Sequence, residues 1–91
     1  MKLRLHVKIS GKVQGVWFRL NTKNKAEDLH INGWVRNTID GGVEAIFEGE
    51  EENLHKMINW CLIGSQNSKV EKIEINKNKF LNEFNNFSIM H

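Results

Sequence analysis

The sequence contains no proline and a single cysteine, Cys61, among its 91 residues. Because one cysteine cannot form an intrachain disulfide, a disulfide scaffold is excluded and a reducing compartment is expected. No apolar run is long enough for a membrane-spanning helix, and Met1 leads directly into an alternating pattern without a secretory signal. Without proline, turns must be shaped by glycine, asparagine and serine. These absences predict a cytoplasmic protein that has no membrane partner.

An excess of one charge is also missing, since 13 lysines and arginines face 11 acidic residues for a net charge of +2. The basic residues are dispersed, whereas a surface that follows nucleic-acid phosphates usually needs a clustered basic stripe. We therefore expect no nucleic-acid partner, while a small anionic substrate stays compatible. The length predicts one domain over 1–91 with one core. Nothing indicates an exposed apolar patch, so a monomer is expected.

The spacing of apolar residues predicts an α+β domain with the order β-α-β-β-α-β and a short extra strand. Alternation from Leu3 to Ile9 is typical of a strand with one buried face, and helical spacing from Leu54 to Leu62 predicts the inner face of a helix. Two helices on one face of an antiparallel sheet form a ferredoxin-like α/β sandwich. The predicted elements are strands at 3–9, 34–39, 43–48, 70–75 and 87–89, helices at 20–30 and 50–62, and a polar loop at 76–86.

The segment between the first strand and the first helix, residues 11–19, reads GKVQGVWFR. The backbone N–H groups of a glycine-bounded loop and a helix N-terminus together form an anion site, for a phosphate or a carboxylate. The segment is not a nucleoside-triphosphate P-loop, because Lys12 lies at the wrong end and no serine or threonine follows it. It also lacks the GxGxxG dinucleotide spacing. The alternative interpretation is a plain strand-to-helix turn that needs positive φ.

Arg19 ends this loop where the helix begins. A cation there is unfavourable beside the positive end of the helix dipole unless an anion lies between them. The residue therefore favours an anion site. The alternatives are a solvated arginine or one paired to a nearby acid such as Asp40.

Asn37 is the second polar candidate, because it alternates with Val35 and Ile39 on one face of a predicted strand. Its amide cannot act as a general base near neutral pH, but it can accept a hydrogen bond from water and donate one to a phosphoryl oxygen. The alternative is an ordinary asparagine beside the hairpin turn at 40–42.

The rest of the sequence shows no acid–base pair, nucleophile or metal site. Cys61 lies in an apolar helical stripe and is predicted to be core. A carboxylic–phosphoric mixed anhydride suits such a site, because its carboxylate leaves without a proton and phosphoryl transfer needs mainly positioning and charge stabilisation. In that reaction Asn37 would hold the attacking water, with no metal and no cofactor. The histidines that lack metal-ligand spacing are His6, His30, His55 and His91.

Two other function classes stay open at this point. A non-catalytic ferredoxin-like module would bind a small anion at the same loop without turnover. A single-strand RNA binder would need aromatic residues on the exposed faces of the central strands. The third strand offers only Phe47, whose neighbours by alternation look buried, so this class ranks last.

Four blocks of the sequence resemble the acylphosphatases. They follow one another at similar spacing over essentially the whole chain, and the first two together are specific. The blocks are GKVQGVWFR at 11–19, GWVRNT at 33–38, GS at 64–65 and NFSI at 86–89.

The resemblance implies a ferredoxin-like sandwich that hydrolyses acyl phosphates to a carboxylate and inorganic phosphate without a cofactor. By position, Arg19 and Asn37 are the catalytic residues, and Asn37 orients the water. We also expect inorganic phosphate, the product, to inhibit the hydrolysis. The residues implied to bind the phosphoryl group, through loop N–H groups and the Arg19 side chain, are Gln14, Gly15, Val16, Trp17, Phe18 and Arg19.

Three positions depart from the acylphosphatase pattern. Trp17 stands where the family often has a small residue and could narrow the mouth of the site. Leu20 replaces an aromatic residue or methionine, and Gln66 stands where proline is common. Because none of them is a catalytic side chain, activity is still expected, while Trp17 and Leu20 leave substrate preference open. The C-terminal residue His91 is placed to approach Arg19, as the C-terminal carboxylate does in some members.

Overall fold

The computed structural model describes residues 1–91 as a five-stranded sheet with two helices packed against one face. Neither helix is long and apolar enough to cross a lipid bilayer. The elements are β1 (Lys2–Lys12), α1 (Phe18–Asp28), β2 (Asn32–Asn37), β3 (Val43–Glu50), α2 (Glu51–Ile63), β4 (Lys69–Lys79) and β5 (Phe87–Met90).

The strand order is β4-β1-β3-β2-β5, which confirms the predicted ferredoxin-like α+β fold with an added terminal strand. The prediction of an antiparallel sheet is wrong for one pair, because β5 runs parallel to β2, with Gly33 opposite Phe87. The physical reason is the crossover after β4. The chain leaves one edge of the sheet and returns at the other edge, where β5 runs in the same direction as β2.

Several element bounds differ from those predicted. Helix α1 begins at Phe18 instead of residue 20, because the buried Phe18 ring anchors its first turn. Strand β2 ends at Asn37, and Ile39 beyond it is fully exposed. Strand β4 continues to Lys79 through part of the predicted loop, because it pairs with β1 almost to the start of that strand. Backbone pairing there prevails over a polar sequence.

The core lies between the sheet and the helices. Its members come from every element except β4, and burying their side chains is the main favourable term in folding. Cys61 is among them, as predicted, and burial raises the pKa of its thiol to about 12. By contrast Leu62, predicted to face inward, is exposed. The largest fully buried side chains are Phe18, Phe47, Ile9, Ile31, Leu54 and Met57.

The other face of the sheet is partly covered by the segment between β4 and β5, and Glu48 holds this segment in place. The carboxylate of Glu48, only 2% exposed, accepts hydrogen bonds from the backbone N–H groups of Leu81 at 2.9 Å and Glu83 at 3.1 Å. Arg4 reaches Glu48 at 3.4 Å and Glu83 at 2.7 Å. These contacts direct the chain across the sheet to the edge where β5 pairs with β2.

Gly33 provides a test of how closely β2 and β3 pack. Its φ is 142°, and a Cβ there would lie 1.9 Å from the carbonyl oxygen of Ile46, so Gly33→Ala should lower the free energy of unfolding by about 2–4 kcal/mol. Gly41→Ala is the matched control, because its φ is 91° but no atom lies within 4 Å of the added Cβ. We expect it to cost about 1 kcal/mol in urea denaturation. Equal losses in the two variants would contradict this packing.

Candidate active site

The loop between β1 and α1 alternates buried anchors with exposed positions. Val13, Val16 and Phe18 are buried, whereas Gly15 and Trp17 are exposed. Gly15 and Trp17 both have positive φ, of 72° and 61°. A Cβ on Gly15 would meet nothing within 4 Å, so glycine is required there by its conformation and not by space. The anchors hold the backbone in a tight curve at the surface.

The backbone donors of this curve have no partners inside the protein. None of the N–H groups from Gln14 to Trp17 donates a hydrogen bond to another protein group. The following N–H groups, of Phe18 and Arg19, lie in the first turn of α1, where no intrahelical acceptor exists. Six consecutive N–H groups are therefore free to bind a ligand, whereas most backbone donors in proteins are paired.

Two side chains brace the loop from opposite sides. The Gln14 amide donates to the carbonyl oxygens of Thr38 and Gly42, each at 2.8 Å, and so ties the loop to the turn between β2 and β3. On the other side, the buried hydroxyl of Ser65 donates to the carbonyl of Val16 at 3.0 Å. All three hydrogen bonds end on carbonyl groups, so the loop is fixed while its N–H groups stay free.

Arg19 is half-buried on the first turn of α1 and forms no ion pair. Its Nη1 lies 3.5 Å from Nδ1 of His91. The alternative pairing with Asp40 does not form, because that carboxylate accepts hydrogen bonds from the Thr38 hydroxyl and, at 3.3 Å, from the Gly42 N–H. The Thr38 bond holds the pKa of Asp40 below its ordinary value. The first turn of α1 contains no acid, so the positive charge there is not neutralised.

Asn37 is the last residue of β2 and pairs with Val43 on β3. Its Oδ1 is buried and has no hydrogen-bond partner in the protein. A buried polar atom of this kind is uncommon, and leaving it unpaired costs about 1–3 kcal/mol. The fold therefore keeps an acceptor free beside a loop that keeps its donors free.

Arg19 and Asn37, far apart in sequence, line one cleft of about 420 Å³. A second, more polar cleft of about 790 Å³ shares Asn37 and His91 with the first. The first cleft combines charged and amide groups with apolar walls. It is lined by Val13, Gly15, Trp17, Phe18, Arg19, Leu20, Asn37, Ile89 and His91.

The structure places the predicted catalytic residues Arg19 and Asn37 in one cleft. The loop residues differ in whether the backbone or the side chain is available to a ligand. The Phe18 ring is packed in the core, 5.5 Å from the ring of Trp60, so only its N–H group is available. The bracing roles of the Gln14 side chain and of Ser65 were missed. For Ser65, the one available signal was the Gly64-Ser65 block of the resemblance to the acylphosphatases. Sequence reasoning placed His91 near Arg19 through its terminal carboxylate, whereas the contact is made by the imidazole.

The structure also bears on a metal site and on a base-stacking surface for RNA. No three side chains among the histidines, cysteine and acids come together as a metal cluster. Phe47 is fully buried and stacks on Phe87 with ring centroids 5.7 Å apart. It is therefore not available as a base-stacking platform of the kind that single-strand RNA binders use.

Comparison with known proteins identifies the family. A model of the family described as Acylphosphatase matches residues 5–89. The chain belongs to the acylphosphatase family. It is 42% identical to an acylphosphatase of Syntrophus aciditrophicus (strain SB) over 91 residues, covering 100% of this chain and 95% of the relative. It is 48% identical to one of Syntrophobacter fumaroxidans (strain DSM 10017 / MPOB) over 88 residues, covering 97% and 91%.

Solved structures agree with this assignment. The crystal structure of acylphosphatase from Bacillus subtilis superposes with a TM-score of 0.95 at 35% identity, covering 98% of this chain and 99% of the other. The family predicted from the four sequence blocks is thus confirmed over almost the full length. In this acylphosphatase-family chain, the loop at 13–17 and the end of β2 lie at one end of the sheet.

The role of the Gln14 side chain in holding the loop can be tested by phosphate binding, without an activity assay. Gln14→Ala removes both 2.8 Å hydrogen bonds to the β2–β3 turn, so the loop loses its fixed position relative to Asn37. We expect inorganic phosphate to bind about tenfold more weakly, and the free energy of unfolding to fall by about 1–2 kcal/mol. Isothermal calorimetry and urea denaturation measure these changes. The matched control is Gln66→Ala, at an exposed position without a side-chain hydrogen bond. Equal phosphate affinity in all three proteins would contradict the bracing role.

Proposed function

We propose that this protein hydrolyses the carboxyl–phosphate bond of acyl phosphates, using Arg19 and the loop at 14–19 to hold the phosphoryl group and Asn37 to hold the water. The observation that carries the proposal is that unpaired donors and an unpaired acceptor lie close together. Free N–H donors and an unpaired arginine lie in the same cleft as a buried, unpaired amide oxygen. Donors without acceptors suit an anion, and an acceptor without a donor suits a water molecule.

The loop supplies the charge stabilisation. In the proposed complex, phosphoryl oxygens accept hydrogen bonds from the N–H groups of Gln14 to Arg19, and the Arg19 guanidinium adds a full positive charge. Because the braces fix these donors in advance, they need not reorganise as charge develops in the transition state. One donor placed in this way typically contributes about 3–4 kcal/mol to the barrier reduction.

Asn37 supplies the nucleophile's position. Its Oδ1 accepts a hydrogen bond from water, whose oxygen attacks phosphorus while the bond from phosphorus to the acyl oxygen breaks. The electron pair of that bond leaves on the carboxylate, which is stable without a proton. One water proton stays on the phosphate product and the other passes to phosphate or solvent. A loose transition state needs little deprotonation of the water, so a general base is not required.

The remaining features of the proposal follow from this chemistry. Hydrolysis should continue in EDTA, since positioning and charge stabilisation come from the loop and Arg19. Inorganic phosphate should compete with substrate, because it has the same oxygens as the phosphoryl group. We also propose a monomer acting in the cytoplasm, consistent with a single buried cysteine in the whole sequence.

Two substitutions separate the proposed roles. Arg19→Ala should lower kcat/KM for benzoyl phosphate by about 10³-fold and also weaken phosphate binding, because it removes charge from both complexes. Asn37→Ala should lower kcat by about 10²–10³-fold but leave phosphate binding within about threefold, since its partner is the water. Steady-state kinetics and calorimetry measure the two effects.

The matched controls are Arg36→Ala and Asn59→Ala, whose side chains lie outside the cleft that holds Arg19. Arg36 is paired with Glu44 at 2.6 Å, and Asn59 is exposed on α2. We expect near-wild-type kinetics from both. Full activity after Arg19→Ala or Asn37→Ala would refute the mechanism. A wild-type protein that binds phosphate but turns over no acyl phosphate would instead be a non-catalytic anion-binding module.

A further inference from the structure

Trp17 combines two features that are unusual for a tryptophan. It has a φ of 61°, in the left-handed region that bulky residues seldom adopt, and it is 76% exposed. Its backbone is held there by its carbonyl oxygen, which accepts hydrogen bonds from the backbone and side-chain N–H groups of Asn21 at 3.0 and 2.9 Å. Glycine would adopt this conformation without strain. Strain at an exposed aromatic residue points to a function for the ring.

The other two tryptophans have packing partners that account for them. The ring of Trp60 lies 5.5 Å from that of Phe18, and the guanidinium of Arg36 lies 5.1 Å from the centre of the Trp34 ring. The indole of Trp17 has neither an aromatic nor a cationic partner. It lines the cleft that also contains Arg19 and Asn37.

Leu20 extends this apolar surface. It lies on the first turn of α1, 45% exposed, and lines the same cleft as Trp17. Half-buried Ile89 of β5 adds a third apolar wall. No acidic side chain lines this cleft. A group attached to a phosphoryl bound on the loop would therefore meet an apolar surface here.

The second cleft, which shares Asn37 and His91 with the first, offers a different environment. Its lining includes the carboxylates of Asp40, Glu44 and Glu74. Two of its cations are already paired, Arg36 with Glu44 at 2.6 Å and Lys72 with Glu74 at 3.0 Å. This cleft is therefore poorly suited to an apolar acyl group, and its acids would repel an anionic one.

We propose that Trp17 and Leu20 form an acyl-group subsite that selects aromatic and other apolar acyl phosphates over small ones. An aromatic acyl group would stack on the indole face and remove apolar area from water on both surfaces. An acetyl group is too small to cover the indole. This inference rests on the proposed function, and it names the substrate class that the same site prefers.

The test compares benzoyl phosphate with acetyl phosphate in four proteins: wild type, Trp17→Gly, Trp17→Phe and Leu20→Ala. Glycine suits the φ of 61°, so Trp17→Gly should fold as well as the wild type. The ratio of kcat/KM for benzoyl over acetyl phosphate should fall about tenfold in Trp17→Gly, chiefly through the KM for benzoyl phosphate. It should fall about threefold in Leu20→Ala, and Trp17→Phe should restore most of it.

A control variant of Leu62 and an NMR measurement with benzoate complete the test. Leu62→Ala removes an exposed leucine from α2, outside the cleft, and should leave the ratio unchanged. Benzoate, the product, should shift the indole N–H resonance of Trp17 but not those of Trp34 and Trp60. Turnover of benzoyl phosphate with the same ratio in Trp17→Gly and wild type would overturn the subsite alone. A wild type that hydrolyses neither acyl phosphate would overturn the proposed function and, with it, this inference.

Discussion

The proposed site depends on a loop between β1 and α1 that is held by the Gln14 side chain and by two of its own backbone carbonyl groups, those of Val16 and Trp17, while its N–H groups from Gln14 to Trp17 stay unbound. The Gln14 side chain donates two hydrogen bonds to the β2–β3 turn, and the Ser65 hydroxyl donates one to the carbonyl of Val16. The side chains of Val13, Val16 and Phe18 are buried in the core and anchor the same segment there. Rigidity is thus obtained without using the donors from which the proposed chemistry draws its electrostatic stabilisation.

The sheet topology determines what lies beside that loop. Strands β1 and β2 both run antiparallel to β3, so their C-terminal ends lie at the same end of the sheet. Strand β5 runs parallel to β2 and therefore ends there too, which brings Ile89 and His91 to the cleft. Glu48 contributes from the other end, because it holds the segment that crosses to β5.

Apolar spacing in the sequence predicted the fold class and most of the elements, because each element contains its own periodic pattern. The blocks at 11–19 and 33–38 drew attention to Arg19 and Asn37, which line one cleft. These local patterns do not specify which strands pair or in which direction they run. The strand at 76–79 forms from a polar sequence because β1 offers it backbone partners, and the parallel direction of β5 follows from a crossover. The Gln14 amide contacts carbonyls 24 and 28 residues away, which no local pattern specifies. The positive φ of Trp17 runs against the residue's own preference.

In the proposed complex, the free N–H groups of the loop bind the phosphoryl anion. Titration of ¹⁵N-labelled protein with inorganic phosphate, followed by heteronuclear NMR, reports on this binding residue by residue. We predict saturable shifts concentrated in the backbone amide signals of residues 14–19, with smaller changes in the rest of the sheet. Shifts centred on another surface, or a loop whose amide signals do not move at saturating phosphate, would show that these N–H groups do not bind the anion.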